Sequence, residues 1–404
     1  MGRRSDAGRI SRAATAVHHP VCRAAEGGLS EPYLAGLRVL DLSRVLAGPL
    51  AAQVLGDLGA EVLKVEPPGG DDTRAWGPWF QSGMSAYFQS CNRNKASLLL
   101  DLKSDGGRAR LAELLAATDV LIHNFLPASA RRLRLDDASL AAAYPRLVAL
   151  GITGYSGSRR GEPGYDLALQ AEAGWIGMTG PAEQGYKAGV AVVDLLTGLM
   201  AANGVQAALL RRARTGKGAV LSLSLHRTAL FSLINVATNH LVSGKPTRRW
   251  GNQHPNLVPY QVFAASDGAM VLGVGNEAQY RRLCDLLGLG GHLRGLDAAG
   301  RLTQRDDVVA GVAAALATRS VATTVAALRE VGIPAAPVLM PHEALAAVTL
   351  TDPGALVAIA HPQVGEVRLP APPLEGDGVR REHTAPPLPG EGGEAMAARW
   401  LASS

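Results

Sequence analysis

The residue best suited to do chemistry in this sequence is Asp166. It follows the turn-forming pair Pro163-Gly164 and precedes an apolar run, 167–171, that is typical of a helix. Asp166 is therefore predicted to be the N-cap or a first-turn residue, where free backbone N–H groups and the helix dipole favour an ionised carboxylate. A carboxylate kept in that state can attack an activated carbonyl group. The alternative is that Asp166 only caps its helix, because Asp is a favoured cap residue.

The stretches before Asp166 predict an α/β fold with a Rossmann-like parallel sheet. Strands at 37–42 and 61–66 flank a helix that begins at Gly48-Pro49, which makes a βαβ unit. An irregular loop is predicted at 67–90, followed by strands at 96–102, 119–123 and 147–152, with a helix from Ser104 or Asp105 to Leu115. Neither GxGxxG nor GxxxxGK[ST] occurs at the first turn, which disfavours a dinucleotide or NTP site. A ligand is still expected beyond the carboxyl ends of the strands, where Asp166 follows the last of them.

The stretches after Asp166 predict a second, smaller α+β domain. The following elements are predicted: an apolar helix at 188–210, an exposed basic turn at 211–218, a strand at 219–224, a helix through Val242, a hairpin with strands at 260–264 and 270–274, and helices at 277–287 and 308–331. We therefore divide the chain into an extension (1–33), a large domain (34–243), a linker (244–259), a small domain (260–331) and an extended return segment (332–404). The return segment is Pro-rich, so we expect it to pack back on the large domain and to end in a helix at 393–401.

Composition and charge exclude several classes of protein. The chain has 404 residues, of which 47% are hydrophobic and 19% charged, as in ordinary globular proteins. The net charge is only +5, and no cluster of Arg and Lys is interleaved with aromatic residues, so no nucleic-acid partner is expected. The apolar run 188–210 contains Asp194, Asn203 and Gln206, which favours a buried helix over a membrane span.

The cysteines and the N-terminal residues 1–30 indicate in which cellular compartment the protein is expected. Cys22, Cys91 and Cys284 are odd in number and lack a CxxC pattern, which indicates free thiols in a reducing compartment and no metal site of the zinc type. Residues 1–30 have no hydrophobic segment of a secretory signal. They are rich in Arg, Ala and Ser, so a disordered extension and a mitochondrial transit peptide both remain open. We expect a cytoplasmic protein, with the mitochondrial matrix as the alternative.

Four motifs in order resemble one family over nearly the whole chain from about residue 34. They are Leu40-Asp41-Leu42-Ser43-Arg44-Val45-Leu46-Ala47-Gly48-Pro49, Leu58-Gly59-Ala60-Glu61-Val62-Leu63-Lys64-Val65-Glu66, Asn92-Arg93-Asn94-Lys95 and Gly164-Tyr165-Asp166. Together they resemble the class III coenzyme A transferases (CaiB/BaiF type), which include formyl-CoA and carnitine CoA transferases. The resemblance implies a Rossmann-like large domain, a small domain over the active site, and ring-shaped subunits interlinked in a homodimer. It also implies that Asp166 is the nucleophile, that an acyl-CoA and a small carboxylic acid are the substrates, and that no metal or permanently bound cofactor is needed.

The same resemblance implies positions that bind coenzyme A. They are Leu46, Ala47, Leu100, Lys103, Asn124, Phe125, Arg132, Thr153 and Tyr155. They suit a ligand with a flat adenine, phosphate groups and a thin pantetheine arm, which needs cations, apolar walls and backbone hydrogen bonds. Formyl-CoA transferase has a Gln where this chain has Leu46 and an Arg where it has Pro67, so those two contacts do not carry over.

A loop after the linker matches the flexible glycine loop that shields the nucleophile in formyl-CoA transferase. The loop is Gly251-Asn252-Gln253-His254, and it has one Gly where that enzyme has several. His254 is a candidate general base, although a single histidine in a loop more often has a structural role.

Two alternatives to a transferase are considered. α-Methylacyl-CoA racemases of the same family carry a His before the matching Asp, but this chain has Tyr165, a poor proton-transfer base near neutral pH. A non-catalytic acyl-CoA binding protein is the other alternative. Several local runs resemble the branch that transfers CoA from succinyl-CoA to glutarate, which favours dicarboxylic acids. Arg93, Arg248 and Arg249 are candidate partners for the distal carboxylate.

Overall fold

The large domain is built on a six-stranded sheet. The computed structural model describes residues 31–79 and 83–403, so the predictions for residues 1–30 fall outside the described residues. The strands of the sheet are β1 (Arg38–Leu42), β2 (Glu61–Glu66), β3 (Lys95–Leu99), β4 (Val120–His123), β5 (Val148–Thr153) and β6 (Ala219–Ser224). Their spatial order is β3-β2-β1-β4-β5-β6, and every neighbouring pair is parallel. This order defines a doubly wound sheet with a ligand crevice where the order reverses, between β1 and β4. The predicted α/β class is confirmed.

Helices cover both faces of this sheet. They are α1 (Ala47–Asp57), α2 (Ala86–Ser90), α3 (Asp105–Ala116), α4 (Pro127–Arg132), α5 (Asp137–Ala143), α6 (Asp166–Glu172), α7 (Trp175–Met178), α8 (Val192–Thr215), α9 (Leu225–Phe231) and α10 (Ile234–Ser243). One apolar core lies between the sheet and α1, α6, α8 and α9. A second core lies on the opposite face, beneath α3, α4 and α5.

The small domain has a three-stranded antiparallel sheet. Its strands are β7 (Tyr260–Ala265), β8 (Gly268–Gly273) and β9 (Ala335–Pro337), in the order β7-β8-β9. Its helices are α11 (Glu277–Leu287), α12 (Gly291–Arg294), α13 (Ala298–Thr303), α14 (Arg305–Leu316) and α15 (Val321–Glu330). The predicted hairpin is confirmed, and the sheet extends to β9 in the return segment.

The C-terminal part of the return segment packs on the large domain, whereas its β9 completes the sheet of the small domain. It contains α16 (Pro341–Thr351), a hairpin of β10 (Leu356–His361) and β11 (Gly365–Pro370), and α17 (Gly393–Ala402). The Trp400 side chain is fully buried, and its Nε1 donates to Glu61 Oε2 over 2.6 Å. Thr384 N donates to Asn94 Oδ1 over 2.9 Å. The large domain is therefore made from both ends of the described chain.

Four predicted stretches were wrong in detail. The helix predicted at 308–331 is two helices bent by 118°, because Ser320 caps a new helix by accepting from Thr323 N. The predicted basic turn at 211–218 is mostly helical, since α8 continues until Gly216 adopts a left-handed φ of 70°. The predicted helix through Val242 is interrupted between α9 and α10, and the predicted loop at 67–90 contains α2. The sequence also gave no indication of α16 or the β10–β11 hairpin.

The long apolar helix α8 packs within the large domain. Among residues 31–79 and 83–403, it is long and apolar enough to cross a membrane, and the bent pair α14–α15 passes the same test if it is counted as one span. Val193, Ala201 and Val205 of α8 are buried in the core that includes α1. Their burial accounts for one face of α8, whereas Leu195, Leu199 and Met200 on the same helix are exposed. Cys91 and Cys284 are both free and buried.

Candidate active site

Asp166 is the first residue of α6, as predicted, but it does not cap that helix. The N-cap is Tyr165, which makes no side-chain cap hydrogen bond. The Asp166 carboxylate points instead to the beginning of α8. Its Oδ1 accepts from Val193 N over 2.8 Å and from Asp194 N over 3.2 Å. Two of the free N–H groups that begin a helix are therefore satisfied by a carboxylate from another helix.

The second oxygen of Asp166 is held by Gln170, one helical turn further along α6. Gln170 Nε2 donates to Asp166 Oδ2 over 2.6 Å, and Gln170 Oε1 accepts from Ala188 N over 2.8 Å. Gln170 is fully buried, whereas Asp166 is half-buried. Because Ala188 N holds the other end of its side-chain amide, Gln170 is itself fixed and sets the orientation of the Asp166 carboxylate.

These contacts suit Asp166 to act as an anionic nucleophile. Three N–H donors, two of them at the beginning of α8, hold the two carboxylate oxygens in place. Each carboxylate oxygen has further lone-pair capacity beyond these bonds. The half-buried position leaves part of the side chain open to a substrate.

Two further ionisable groups lie close to Asp166. Burial, and then the Asp166 charge, raise the pKa of Asp194 to about 7. Burial, followed by the charges of Asp194, Cys91 and Asp166, raises the pKa of Tyr87 to about 12. Near neutral pH, Tyr87 is therefore a hydroxyl donor, and a large fraction of Asp194 keeps its proton.

A cavity of about 460 Å³ lies at the carboxyl ends of β3, β2, β1 and β4. Four residues predicted to bind coenzyme A line it: Leu100, Lys103, Phe125 and Arg132. Arg44 and Arg108 also line it, and no sequence pattern predicted a role for them. Arg44 follows β1, next to the point where the strand order reverses, and this position could have indicated a role in ligand binding. Pro67 is also part of the wall.

The other predicted CoA-binding residues are not among those that line this cavity. Asn124 joins the loops after β1 and β4, because its Oδ1 accepts from Arg44 N over 3.1 Å and its Nδ2 donates to Arg44 O over 2.9 Å. Leu46 and Ala47 begin α1. Thr153 Oγ1 donates to Tyr155 O over 2.7 Å, and the Tyr155 ring is buried in the core.

A buried ion pair holds the loop that follows β1. Lys95 Nζ donates to Asp41 Oδ2 over 2.9 Å and to Asn92 Oδ1 over 2.9 Å, and Asp41 Oδ1 accepts from Ser43 N over 3.0 Å. Burial opposes ionisation of Asp41, but Lys95 and Lys64 outweigh it and lower the pKa of that carboxyl. The Asn92-to-Lys95 motif is therefore part of the scaffold beneath the cavity.

The predicted substrate loop at 251–254 is tied to its surroundings. Gly251 forms a β-bridge with Gly180, and Asn252 Oδ1 accepts from Val262 N over 3.3 Å. His254 Nδ1 accepts from Asn256 N over 3.0 Å, and Arg305 donates to His254 O over 3.0 Å. Burial, with the Arg305 charge, lowers the pKa of His254. A neutral histidine that orders its own loop fits the structural interpretation.

Of the three candidate partners for a distal carboxylate, Arg93 is excluded. Its Nε and Nη2 donate to the two oxygens of Asp57 over 2.8 and 2.6 Å, and its residue surface is 5% exposed. Arg249 donates to the carbonyl oxygens of Gly177 and Ala182 over 3.0 and 2.8 Å. The Arg248 guanidinium stacks over the Trp250 ring at 3.9 Å.

A doubly wound sheet with a cation-lined cavity at its carboxyl edge is typical of an α/β enzyme that acts on an anionic ligand, although Asp166 is not among the residues that line this cavity. A family model described as CoA-transferase family III matches residues 34–394. The chain belongs to CoA-transferase family III and is a CoA-transferase.

Three similar proteins support this assignment. A succinyl-CoA:glutarate CoA-transferase from Mus musculus is 37% identical over 369 residues, covering 88% of this chain and 83% of that protein. A succinate–glutarate CoA-transferase from Agrobacterium fabrum is 43% identical over 270 residues, covering 64% and 68%. The crystal structure of a CAIB/BAIF family protein from Brucella suis has a TM-score of 0.80 at 34% identity, covering 92% of this chain and all of that one.

Proposed function

We propose that this enzyme transfers CoA from succinyl-CoA to a small dicarboxylic acid such as glutarate through a covalent intermediate on Asp166. The choice of acids is supported by the names of the Mus musculus and Agrobacterium fabrum relatives. The observation that carries the intermediate is the carboxylate of Asp166, fixed by Val193 N, Asp194 N and Gln170 Nε2. A homodimer with interlinked subunits remains a prediction.

The proposed reaction consists of four acyl exchanges with no net proton change. An oxygen of Asp166 attacks the thioester carbon of succinyl-CoA; a C–O bond forms, the C–S bond breaks, and a mixed anhydride and the CoA thiolate result. The thiolate then attacks the Asp166 carbonyl carbon, releasing succinate and leaving an aspartyl-CoA thioester. The acceptor carboxylate attacks that thioester and expels the thiolate again. The thiolate finally attacks the acceptor carbonyl carbon, which releases the new acyl-CoA and Asp166.

These steps predict that Asp166 keeps one oxygen from the acceptor in each turnover. The enzyme is first loaded with succinyl-CoA and freed of succinate, then given an acceptor labelled with heavy oxygen in its carboxylate for a single turnover. Mass spectrometry of the peptide that carries Asp166 is expected to show a mass increase of one heavy oxygen.

The same experiment separates this route from a direct one. If the acceptor attacked succinyl-CoA without an enzyme intermediate, the label would appear in the released succinate and the Asp166 peptide would stay unlabelled. That result would overturn the covalent mechanism.

We further propose that the cavity at the carboxyl edge of the sheet binds the nucleotide part of coenzyme A. Four cations, Arg44, Lys103, Arg108 and Arg132, line it with two acids, Glu66 and Asp101. Arg44 and Arg108 are already paired with Asp72 and Asp105, so Lys103 and Arg132 are the cations best placed for the phosphate groups of the ligand.

Lys103→Ala and Arg132→Ala are each expected to raise the KM for succinyl-CoA by about 10-fold or more, because each removes a charge-assisted phosphate contact. The KM for the acceptor should not change. Steady-state kinetics with both substrates varied will test this. Arg131→Ala is the matched control, since Arg131 neighbours Arg132 on α4 but lines a different cavity. An unchanged KM for succinyl-CoA in both variants would contradict the proposal that this cavity binds the nucleotide part of coenzyme A.

A further inference from the structure

The first turn of α8 contains a second carboxyl group, Asp194, beside the proposed nucleophile. Asp194 is the third residue of α8, and its backbone N donates to Asp166 Oδ1 over 3.2 Å. An acid in the first turn of a helix is normally stabilised in its ionised form. Asp136 shows the usual case: it caps α5, and hydrogen bonds from Ser139 lower its pKa.

Asp194 is different because Asp166 already occupies the beginning of α8. The N–H groups of Val193 and Asp194 itself are bound to Asp166 Oδ1, so the Asp194 carboxyl meets a negative charge there. Burial and this charge raise its pKa to about 7. Throughout the described ranges, no side chain forms an ion pair or hydrogen bond with the Asp194 carboxyl.

The groups that face Asp194 from neighbouring elements are also acidic. Asp166 of α6 accepts from the Asp194 backbone N over 3.2 Å, and the charge of Asp194 raises the pKa of Tyr87 on α2. Next to Tyr87 lie the Cys91 thiol, whose pKa burial raises to about 11, and Asp71. Two adjacent carboxyl groups in different protonation states are typical of active sites in which the two groups have different catalytic roles.

We propose that Asp194 is a second catalytic residue, a neutral carboxylic acid that donates a hydrogen bond to the substrate oxygen that becomes negative when Asp166 attacks the thioester. This inference rests on the proposed function. The proton stays on Asp194 throughout: it stabilises the tetrahedral oxyanion, the C=O bond re-forms, and the C–S bond breaks to release the thiolate. An ionised Asp194 cannot donate, and it repels the acceptor carboxylate.

Paired substitutions separate a donor from a structural residue. Asp194→Ala removes the donor, and kcat is expected to fall about 10²- to 10³-fold. Asp194→Asn keeps a neutral N–H donor of similar size, so its kcat should stay within about 10-fold of wild type. Gln206→Ala, further along α8, is the control for changes to this helix. Wild-type kcat with Asp194→Ala, or equal losses with Ala and Asn, would overturn the proposal.

The pH dependence gives a second readout. Because the pKa of Asp194 is raised, the neutral donor is present below about pH 7 and is lost as the pH rises through that value. Wild-type kcat should therefore fall as the pH rises through this range, and Asp194→Asn should lack that fall. A fall of the same size in the Asn variant would contradict the assignment.

Thermal unfolding checks the protonation state without activity. A raised carboxyl pKa lowers the stability of the native protein as the pH rises. Asp194→Asn should therefore melt at a higher temperature than wild type at about pH 8, and the difference should shrink at about pH 5. A constant difference would show that Asp194 does not titrate as required.

Transfer of heavy oxygen to Asp166 distinguishes the two proposals when free enzyme is mixed with succinyl-CoA and labelled acceptor together, so that the attack of Asp166 on the succinyl thioester is part of the measured rate. If wild-type Asp166 takes up no label, the covalent mechanism itself fails. If Asp166 takes up label at the same rate in wild type and Asp194→Ala, only the role of Asp194 fails. Label uptake that is normal in wild type and slowed in Asp194→Ala supports both.

Discussion

Replacing Asp166 with alanine is expected to lower kcat for CoA transfer by about 10⁴-fold or more, because the acyl group then has no oxygen to receive it. The fold should persist, since the side chain is half-buried and lies outside both cores of the sheet. The lost hydrogen bonds to Val193 N and Asp194 N resemble a lost helix cap, which costs about 1 kcal/mol. Initial rates with succinyl-CoA and glutarate, with circular dichroism for the fold, will measure both effects.

Asp105→Ala is the matched control for Asp166→Ala. Asp105 is also the first residue of a helix, α3, but its side chain is fully exposed. Its replacement should leave kcat unchanged. Turnover by Asp166→Ala at the wild-type rate would end the case for a covalent intermediate.

Replacing Asp57 with alanine is expected to destabilise the protein by about 3–5 kcal/mol, since it leaves a buried guanidinium without its partner. Arg93 donates two hydrogen bonds to Asp57, and Asn94 Nδ2 donates a third over 2.8 Å. Both side chains of the Asp57–Arg93 pair are less than a tenth exposed, at 7% and 6%. Urea unfolding monitored by fluorescence will measure the free energy of unfolding.

The exposed pair Arg294–Asp285 supplies the comparison. Its side chains are 53% and 58% exposed, so Asp285→Ala should cost no more than about 1 kcal/mol. Equal losses in the two alanine variants would show that Asp57 does not stabilise the fold through a buried charge. A destabilised Asp57→Ala protein should keep the pH profile of the wild type while it remains folded.

Local signals predicted most of the sheet and the position of Asp166. Strands such as β4 and β5 are short, mostly apolar runs, and their burial on both faces confirms the pattern. Pro163-Gly164 predicted that Asp166 begins a helix, and it does. These features depend on a few neighbouring residues, which a single sequence contains.

The contacts that prepare Asp166 depend on residues far along the chain. Gln170 lies at the i+4 position, a spacing that could have indicated its role. Val193 and Asp194, in contrast, lie in a different helix, and Asp194 drew notice only as a polar residue in an apolar run. Nothing in the spacing shows that the beginning of α8 faces the beginning of α6.

Charged motifs were the least informative part of the sequence. Arg93 belongs to a run that resembles the family, and as a free cation it would suit a carboxylate substrate. Its partner Asp57 lies on α1, so the sequence alone does not show that the arginine is already paired. The same limit applies to Arg44 and Arg108, which are brought to one cavity only by the order of the strands.

The position of α17 has a consequence for how this protein is made. Trp400 of α17 completes the core on one face of the sheet, whose first strand is formed by residues 38–42. A ribosome therefore releases the small domain before it releases the helix that closes the large one. During synthesis, apolar side chains such as Leu63 and Leu98 therefore lack the cover of α17 until after the small domain has emerged, and exposed apolar surface of this kind promotes aggregation.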